Sequence, residues 1–260
     1  VRSPRVVAVR RLQQRKDRDE QLRFLAEGPQ SVREALARPG CVVDLYVTPG
    51  FAAEHPDWGG TVVPDEVLAA MSQTRSPQGV LAVCHQFDVA LPQVLDTRLA
   101  LLLHEIRDPG NAGTVLRAAD AAGAGAAIFS QGSVDPYNGK CVRATAGSLF
   151  HVPLVREVPT LDAIAALRAA GFVTLAADGS GTVGLYDLLP PQGLLDGAVA
   201  WVFGNEARGL PEEVLAAVDE VVSIPHDGPA ESLNLAAAAA VCLLTTAAAQ
   251  RGRLARPAGR

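Results

Sequence analysis

Aromatic residues are scarce in this chain: two Trp, three Tyr and seven Phe among 260 residues. That argues against an extended platform for stacking bases and favours helices packed closely through small side chains, of which alanine is the most abundant. Cysteine is rare too. Cys41, Cys84, Cys141 and Cys242 lie far apart in sequence with no C-x-x-C pair, so neither a zinc site nor a disulfide framework is expected. Isolated buried thiols in a reducing cytosol are the expectation instead. No apolar run reaches the roughly 20 residues that span a bilayer, and the Arg-rich start lacks the apolar stretch of a secretion signal. A cytoplasmic protein without a membrane partner is therefore expected.

Several chemistries are missing. There is no Gly-Lys-Ser/Thr phosphate loop, no His-Glu-x-x-His helix and no Gly-x-Ser-x-Gly elbow. His85, His104, His151 and His226 show no ligand spacing, so no metal is expected. Gly123-Ala-Gly125 looks like part of a dinucleotide fingerprint, but it follows a helix and precedes a strand, the reverse of what a phosphate-binding turn requires. No acidic residue stands at the ribose-binding offset, which argues against a nicotinamide enzyme.

A surplus of positive charge is also missing. The net charge of −5 argues against a broadly basic nucleic-acid binder. The distribution is uneven, however. The segment Val1–Arg38 carries ten Lys or Arg against five Asp or Glu, a balance of +5, which leaves −10 for the remainder. Arg251, Arg253, Arg256 and Arg260 add charge at the other end. Basic ends on an acidic body can meet phosphates without a basic isoelectric point, although a charged helix can also be merely solvated.

What is present is an α/β pattern. About half the residues are apolar and a fifth charged, as in an ordinary soluble globular protein of one or two domains. Residues 6–16 read as a charged helical lead-in and 24–27 as a short strand. Gly28-Pro29 opens a helix through Ala37, which Pro39-Gly40 stops. Strands at 42–47 and 80–85 flank a loop at 49–60 and a helix at 64–72. A linker is expected at 88–97, dividing a domain of residues 1–92 from one of residues 93–260. The second series has strands at 99–104, 126–129, 172–177, 198–203 and 220–224. Its helices fall at 112–122, 137–148, 160–170, 211–217 and 232–249. Strands alternating with helices predict a mostly parallel sheet covered on both faces.

Three strand-to-helix loops of the second series concentrate the polar chemistry, and in an open α/β sheet ligands bind where such loops cluster. The first is Asp108-Pro-Gly-Asn-Ala-Gly-Thr-Val-Leu-Arg117, turn chemistry running into a helix that carries Arg117 among small apolar residues. An arginine so placed calls for an anionic partner, whether a ligand or a structural carboxylate. The second is Phe203-Gly-Asn-Glu-Ala-Arg-Gly-Leu210, where Gly204 and Gly209 permit a tight loop over a bound group. Glu206 there either orients a cation such as Arg117 or caps the helix entered at Pro211. The third, Ile224 to Leu235, presents Ser232 as an N-cap whose free N–H groups could bind an anion. One composite site of Asn111, Arg117, Glu206, Ser232 and Asn234 is the reading.

Taken in order, these motifs resemble those of the SpoU/TrmH family of RNA 2′-O-ribose methyltransferases, within the SPOUT class. The stretch Val134-Asp-Pro-Tyr-Asn-Gly-Lys-Cys-Val-Arg-Ala-Thr-Ala-Gly-Ser-Leu-Phe-His-Val-Pro153 fits the same family, and Phe24-Leu-Ala-Glu-Gly-Pro with Ser76-Pro-Gln-Gly-Val is similar to its L30e-like substrate-binding domain. The resemblance implies an α/β catalytic domain with a trefoil knot and a mostly parallel sheet, behind a smaller α/β domain. It implies S-adenosylmethionine as cofactor, held by Gly204, Ile224 and Leu233, and a homodimer with the site completed near the subunit interface. Arg117 becomes the central catalytic residue, gripping the target phosphate rather than acting as a literal base. Asn111 would place Arg117 or the ribose, Glu206 would orient Arg117, and Ser232 and Asn234 would hold loop and nucleotide. Ribosomal RNA, 23S above all, is the expected substrate and DNA is not. A tRNA ribose methyltransferase and a non-catalytic RNA-binding assembly factor are the alternatives, and a role in antibiotic resistance stays open.

Overall fold

The computed structural model describes residues 3–191, 193–230 and 232–253. Val1, Arg256 and Arg260, named above, and Glu231 within the third loop lie outside the described residues. By packing, the chain divides into two compact units, one of residues 1–87 and 135–151, the other of residues 88–134 and 152–260.

The first unit opens with α1 (Pro4–Arg11) and α2 (Arg15–Gln21), two short helices where one lead-in was expected, because residues 12–14 form a turn. Then follow β1 (Arg23–Glu27), α3 (Pro29–Ala37), β2 (Val42–Val47), α4 (Pro49–Glu54), β3 (Thr61–Val62), α5 (Asp65–Met71) and β4 (Val80–His85). The expected loop at 49–60 is largely helical. Thr48 accepts a hydrogen bond from the Phe51 amide, Pro49 occupies the first turn, and a 3₁₀ turn at Pro56–Trp58 follows. The sheet order is β1-β4-β2-β3, with β1 and β2 antiparallel to β4 and β3 parallel to β2. Its core joins Val6 and Val9 of α1 and Leu12 of the following turn to Leu25, Tyr46, Leu81 and Val83 of the sheet and Leu68 and Met71 of α5.

Two cysteines correct the expectation of isolated thiols. Cys41 and Cys84 are buried beside each other at the β2–β4 pairing, hydrogen-bonded side chain to side chain. That contact, helped by Arg38, holds the Cys41 thiol below its ordinary range, while the same contact and burial push Cys84 up. Sequence separation hid the pair because an antiparallel register brings distant residues together.

The second unit contains β5 (Leu99–Leu103), α6 (Pro109–Ala122) and β6 (Ala126–Ser130). The chain then returns to the first unit through α7 (Gly139–Ala144) and a 3₁₀ turn at Ser148–Phe150, shorter than the helix expected at 137–148. It resumes with β7 (Leu154–Val158), α8 (Thr160–Ala169), β8 (Val173–Ala177), β9 (Val183–Gly184), β10 (Val199–Phe203), α9 (Glu212–Ala217), β11 (Glu220–Ser223) and α10 (Leu235–Gln250). The seven strands run in the order β7-β6-β5-β10-β8-β11-β9 and every pairing is parallel, as expected of βα units.

Both faces of this sheet are buried, which explains strands that read as continuous apolar runs. Ala100, Leu102, Ile128, Ala176, Ala200 and Val202 pack with Ala163, Ile164, Leu167 and Val214 of α8 and α9. The side chains alternating with these, among them Leu101, Leu103, Trp201 and Phe203, are equally buried. Trp201 donates from Nε1 to Thr246 Oγ1 of α10 at 2.9 Å, so the one polar atom of a fully buried ring is satisfied. Helices α6 and α10 pack together through alanine-rich faces. Gly123 ends α6 in the left-handed conformation, φ 73°. The suspected dinucleotide glycine is thus a helix stop.

Candidate active site

Strand order builds the site. β10 lies between β5 and β8, and Leu103 pairs in register with Phe203. The chain leaving β5 and the chain leaving β10 therefore emerge side by side, where the sheet's direction of winding changes. β8 and β11 end at the same edge, with Ala177 opposite Val222.

The β10 loop is tightly made. Asn205 and Gly209 exchange backbone hydrogen bonds of 3.0 and 2.8 Å across it. A side chain at Gly204 would drive a Cβ into the Gly209 carbonyl carbon, and Gly209 itself has φ 64°. Asn205 is buried. Its Oδ1 accepts from the amides of Ala207 and Arg208, and its Nδ2 donates to the Glu105 carbonyl at 2.7 Å. Glu105 has the uncommon φ of 46° and receives Arg208 at 2.6 Å and Arg107 at 3.3 Å. The Arg107 hydrogen bond, with the Arg208 charge behind it, holds the Glu105 carboxyl below its ordinary range. The adjacent His104 is shifted down by burial.

Glu206 corrects one expectation. Its carboxylate does not meet Arg117, nor does it cap the helix at Pro211. It accepts from the Arg107 and Asp108 amides at 3.2 and 3.1 Å and from Asn111 Nδ2 at 3.4 Å. Free N–H groups ahead of a helix are a strong attractor for a carboxylate. Asp108, the N-cap of α6, takes the Asn111 amide at 2.8 Å. Asn111 Oδ1 in turn accepts from Asn234 Nδ2 at 3.2 Å. Glu206, Asn111 and Asn234, from three loops, thus form one hydrogen-bond chain.

Asn234 also corrects the expected cap of α10. It is Asn234, not Ser232, whose side chain accepts from the Ala236 and Ala237 amides, so the helix starts three residues later than expected. Ser232 lies exposed in the approach. His226 fastens that approach, with Nδ1 on the Ile224 carbonyl and Nε2 on the Ala230 carbonyl, both at 2.9 Å.

Between these loops lies a cavity of about 510 Å³. Gly204, Ile224 and Leu233, the three expected cofactor residues, all line it, as do Glu206, Ser232 and Asn234. Phe203, Val222 and Leu235 add apolar wall, and Asp178 at the end of β8 adds a carboxylate. Arg117 does not line the cavity. It sits six residues beyond Asn111 on α6, about 9 Å along the helix axis at about 1.5 Å per residue. It is exposed, without a hydrogen bond or ion pair among the described residues. Sequence reasoning missed Asn205, Glu105 and Asp178. Asn205 stood inside a quoted motif, and a carboxylate at a strand's C-terminal end is the signal that could have found Asp178. Among the described residues, no His/Cys/Asp/Glu cluster could hold a metal ion, and no helix is long and apolar enough to cross a membrane.

Comparison with known proteins gives consistent matches. Residues 98–244 match the SpoU rRNA Methylase family and residues 3–82 an MRM3-like substrate binding domain. The 23S rRNA (guanosine(2553)-2′-O)-methyltransferase of Bacillus subtilis is 33% identical over 237 residues, 89% of this chain and 91% of that protein. The 23S rRNA (uridine(2479)-2′-O)-methyltransferase of Streptomyces viridochromogenes is 36% identical over 198 residues, 73% of this chain and 67% of that protein. Among solved structures, an AdoMet-bound rRNA methyltransferase from Sinorhizobium meliloti superposes with a TM-score of 0.83 at 34% identity, covering 97% and 96% of the two chains. The SpoU methyltransferase AviRb of Streptomyces viridochromogenes in complex with AdoMet gives 0.82 at 29% identity, covering 96% and 98%.

Proposed function

Because the chain belongs to the SpoU rRNA methylase family, we propose that this S-adenosylmethionine-dependent RNA 2′-O-ribose methyltransferase acts on 23S ribosomal RNA. In this reading Arg117, Asn111, Glu206, Ser232 and Asn234 serve the transfer around a cofactor held by Gly204, Ile224 and Leu233. The observation that carries it is the hydrogen-bond chain Glu206–Asn111–Asn234, closed from three distant segments beside a cavity of cofactor size.

The cavity fits S-adenosylmethionine. The bare Gly204 lets its loop close against Gly209 at the cavity wall, and Val222, Ile224 and Leu233 offer apolar surface to a purine. When bound, the cofactor supplies an electrophilic methyl group, so the protein's work is placement and charge. Glu206 holds the turn before α6 and, through Asn111, the start of α10, fixing both loops relative to the cavity. Arg117 brings a planar cation with its donors in a fixed fork. It forks onto the phosphate of the target nucleotide, and its charge eases loss of the 2′-hydroxyl proton to solvent water. Its lack of a protein partner keeps it available for that contact.

A homodimer belongs to the same reading. Ala237, Val241, Leu244 and Ala248 fall three and four apart on one stripe of α10, and Leu244 is 47% exposed. A second copy meeting this stripe would cover it, and would complete the surroundings of Arg117 on the adjacent α6. The strand order, with β10 inserted between β5 and the earlier β8, supports the trefoil knot. RNA grip falls to residues 1–92 and catalysis to residues 93–260, a division supported by the two family matches, and the cytosol, where ribosomal RNA lies, is the place of action.

The test is methyl transfer from labelled S-adenosylmethionine to separate pools of ribosomal RNA and tRNA, read as alkali-resistant dinucleotides. Label in 23S RNA that disappears with Arg117→Ala is expected. Label confined to tRNA would replace the substrate, and cofactor binding without label in either pool would remove the catalytic role.

A further inference from the structure

Among the described residues the cavity is lined by two carboxylates, and they differ in what remains free. Glu206 has both oxygens engaged: Oε1 takes the Asp108 amide and Asn111, and Oε2 takes the Arg107 amide. Asp178 has only one. Its Oδ1 accepts from the Ser180 amide at 2.9 Å and the Ser180 hydroxyl at 2.7 Å, while Oδ2 meets no donor among the described residues. Oδ2 faces Gly209, where a Cβ would stand 3.5 Å away. The residue is fixed from behind as well, since its amide donates to the Val222 carbonyl at 3.1 Å and its carbonyl accepts from Gly181 at 3.1 Å. A carboxylate held this firmly, half-buried in a cavity wall with one oxygen unused, is set to accept a hydrogen bond from whatever fills the cavity.

The position says which part of the occupant it meets. β8 lies on the far side of β10 from β5, so Asp178 is removed from the Asn111 loop where the reacting groups gather. It adjoins Ala177 and Val222 at the margin of the apolar wall. A purine on that wall carries its ribose directly, whereas the amino-acid end is several bonds further away. Carboxylates at strand ends accept ribose hydroxyls in other α/β nucleotide sites for the same geometric reason. We infer that Asp178 Oδ2 accepts a ribose hydroxyl of the bound adenosyl group and selects for that hydroxyl. This rests on S-adenosylmethionine occupying the cavity.

Calorimetry on the full chain tests it with three probes: S-adenosylhomocysteine, methylthioadenosine, which lacks the amino-acid arm, and the dideoxy analogue of methylthioadenosine. In the unaltered protein the dideoxy probe is expected to bind about ten- to a hundredfold more weakly than methylthioadenosine, the range of a hydrogen bond to a charged group. Asp178→Asn is expected to weaken homocysteine and methylthioadenosine probes alike and leave the dideoxy probe unchanged, with Asp178→Ala as the second variant and a melting curve to report folding. Equal binding of methylthioadenosine and its dideoxy analogue by the unaltered protein overturns the contact without needing any variant. A loss for S-adenosylhomocysteine alone overturns it in favour of the cofactor's ammonium. An unaltered protein that binds none of the probes overturns the cofactor assignment itself, and the ribose contact with it.

Discussion

Two arginines in two regions of the molecule do opposite things. Arg18, in the first unit, is 2% exposed and engaged at all three guanidinium nitrogens. Its Nε and Nη2 meet Asp135 Oδ2 at 2.8 and 2.6 Å, and its Nη1 donates to the Leu12 and Gln13 carbonyls at 3.0 Å each. Asp135 Oδ1 takes the Tyr137 amide, so the pair ties residues 12–18 to the start of the 135–151 segment. Arg117, in the second unit, is exposed on α6 and has no protein partner among the described residues. A guanidinium with all three nitrogens engaged is structure. One held on a rigid helix with every donor free is available to a ligand, and the identity of the residue alone does not tell the two apart.

The largest effects should come from exchanging these fates. Arg117→Ala is expected to lower methyl transfer by about a thousandfold or more, the loss of a main transition-state contact, and to move stability by less than about 0.5 kcal/mol, as exposed sites do. Arg18→Ala should do the reverse. It leaves the buried Asp135 carboxylate without its guanidinium, a defect of about 3–5 kcal/mol, read as a lower denaturation midpoint. If Arg117→Ala unfolded the protein, or Arg18→Ala left the midpoint unchanged, the contrast would fail. Arg117→Lys sharpens it, because a point charge without the fork should recover only a small part of the lost turnover.

The next effect concerns what completes the exposed face. Leu244→Arg places a charge in the apolar stripe of α10, and sedimentation should show a monomer with methyl transfer greatly reduced and cofactor binding kept. A variant that stays dimeric and fully active would separate this stripe from assembly. Smaller again is Glu206→Gln. The amide keeps one accepting oxygen and turns an NH2 group toward the other backbone donor, so one of the Arg107 and Asp108 contacts is lost along with the charge, and a loss of about tenfold in turnover is expected, close to 1.4 kcal/mol. It should exceed any loss in melting temperature, since the bonds concerned lie at the surface.

Much of this was legible in the sequence. The parallel sheet followed from apolar strands alternating with helices, and the clustering of three loops followed from the rule that such loops gather at one edge. Gly204, Ile224 and Leu233, which the family resemblance implied as cofactor residues, line the cavity. What stayed hidden depends on contacts between segments with no common period. Glu206 was expected to seek a cation, yet the amides ahead of α6 stand nearer, a fact set by the β5–β10 register. Ser232 and Asn234 are equally good N-caps by type, and only the trajectory of the approach, pinned by His226, selects Asn234. Thr48 and Pro49 did carry a helix-start signal at the expected loop, which a run rich in Gly and Pro obscured. The pairing of Cys41 with Cys84 was beyond reach without the strand register.

The weakest expected effect is a pH dependence at the cavity's edge, and it tests how firmly the preformed side is held. Both ring nitrogens of His226 face carbonyl oxygens, Ile224 and Ala230. Two acceptors can be satisfied only when both nitrogens carry protons, so the imidazolium is favoured and the group titrates above its ordinary value, the Ile224 contact first and the Ala230 contact second. The sign follows. Below the unperturbed value near pH ~6.5 the ring is charged whether or not the loop is closed, and its stabilising contribution is complete. As pH rises through the raised value the ring loses a proton, one carbonyl loses its donor, and the segment carrying Leu233 and Ser232 is less firmly held. Cofactor affinity should therefore fall modestly, about two- to threefold, between about pH 6 and pH 9. His226→Asn should flatten that dependence at the weaker level. An unchanged slope in His226→Asn would place the titration elsewhere and leave the approach to α10 held by Asn234 alone.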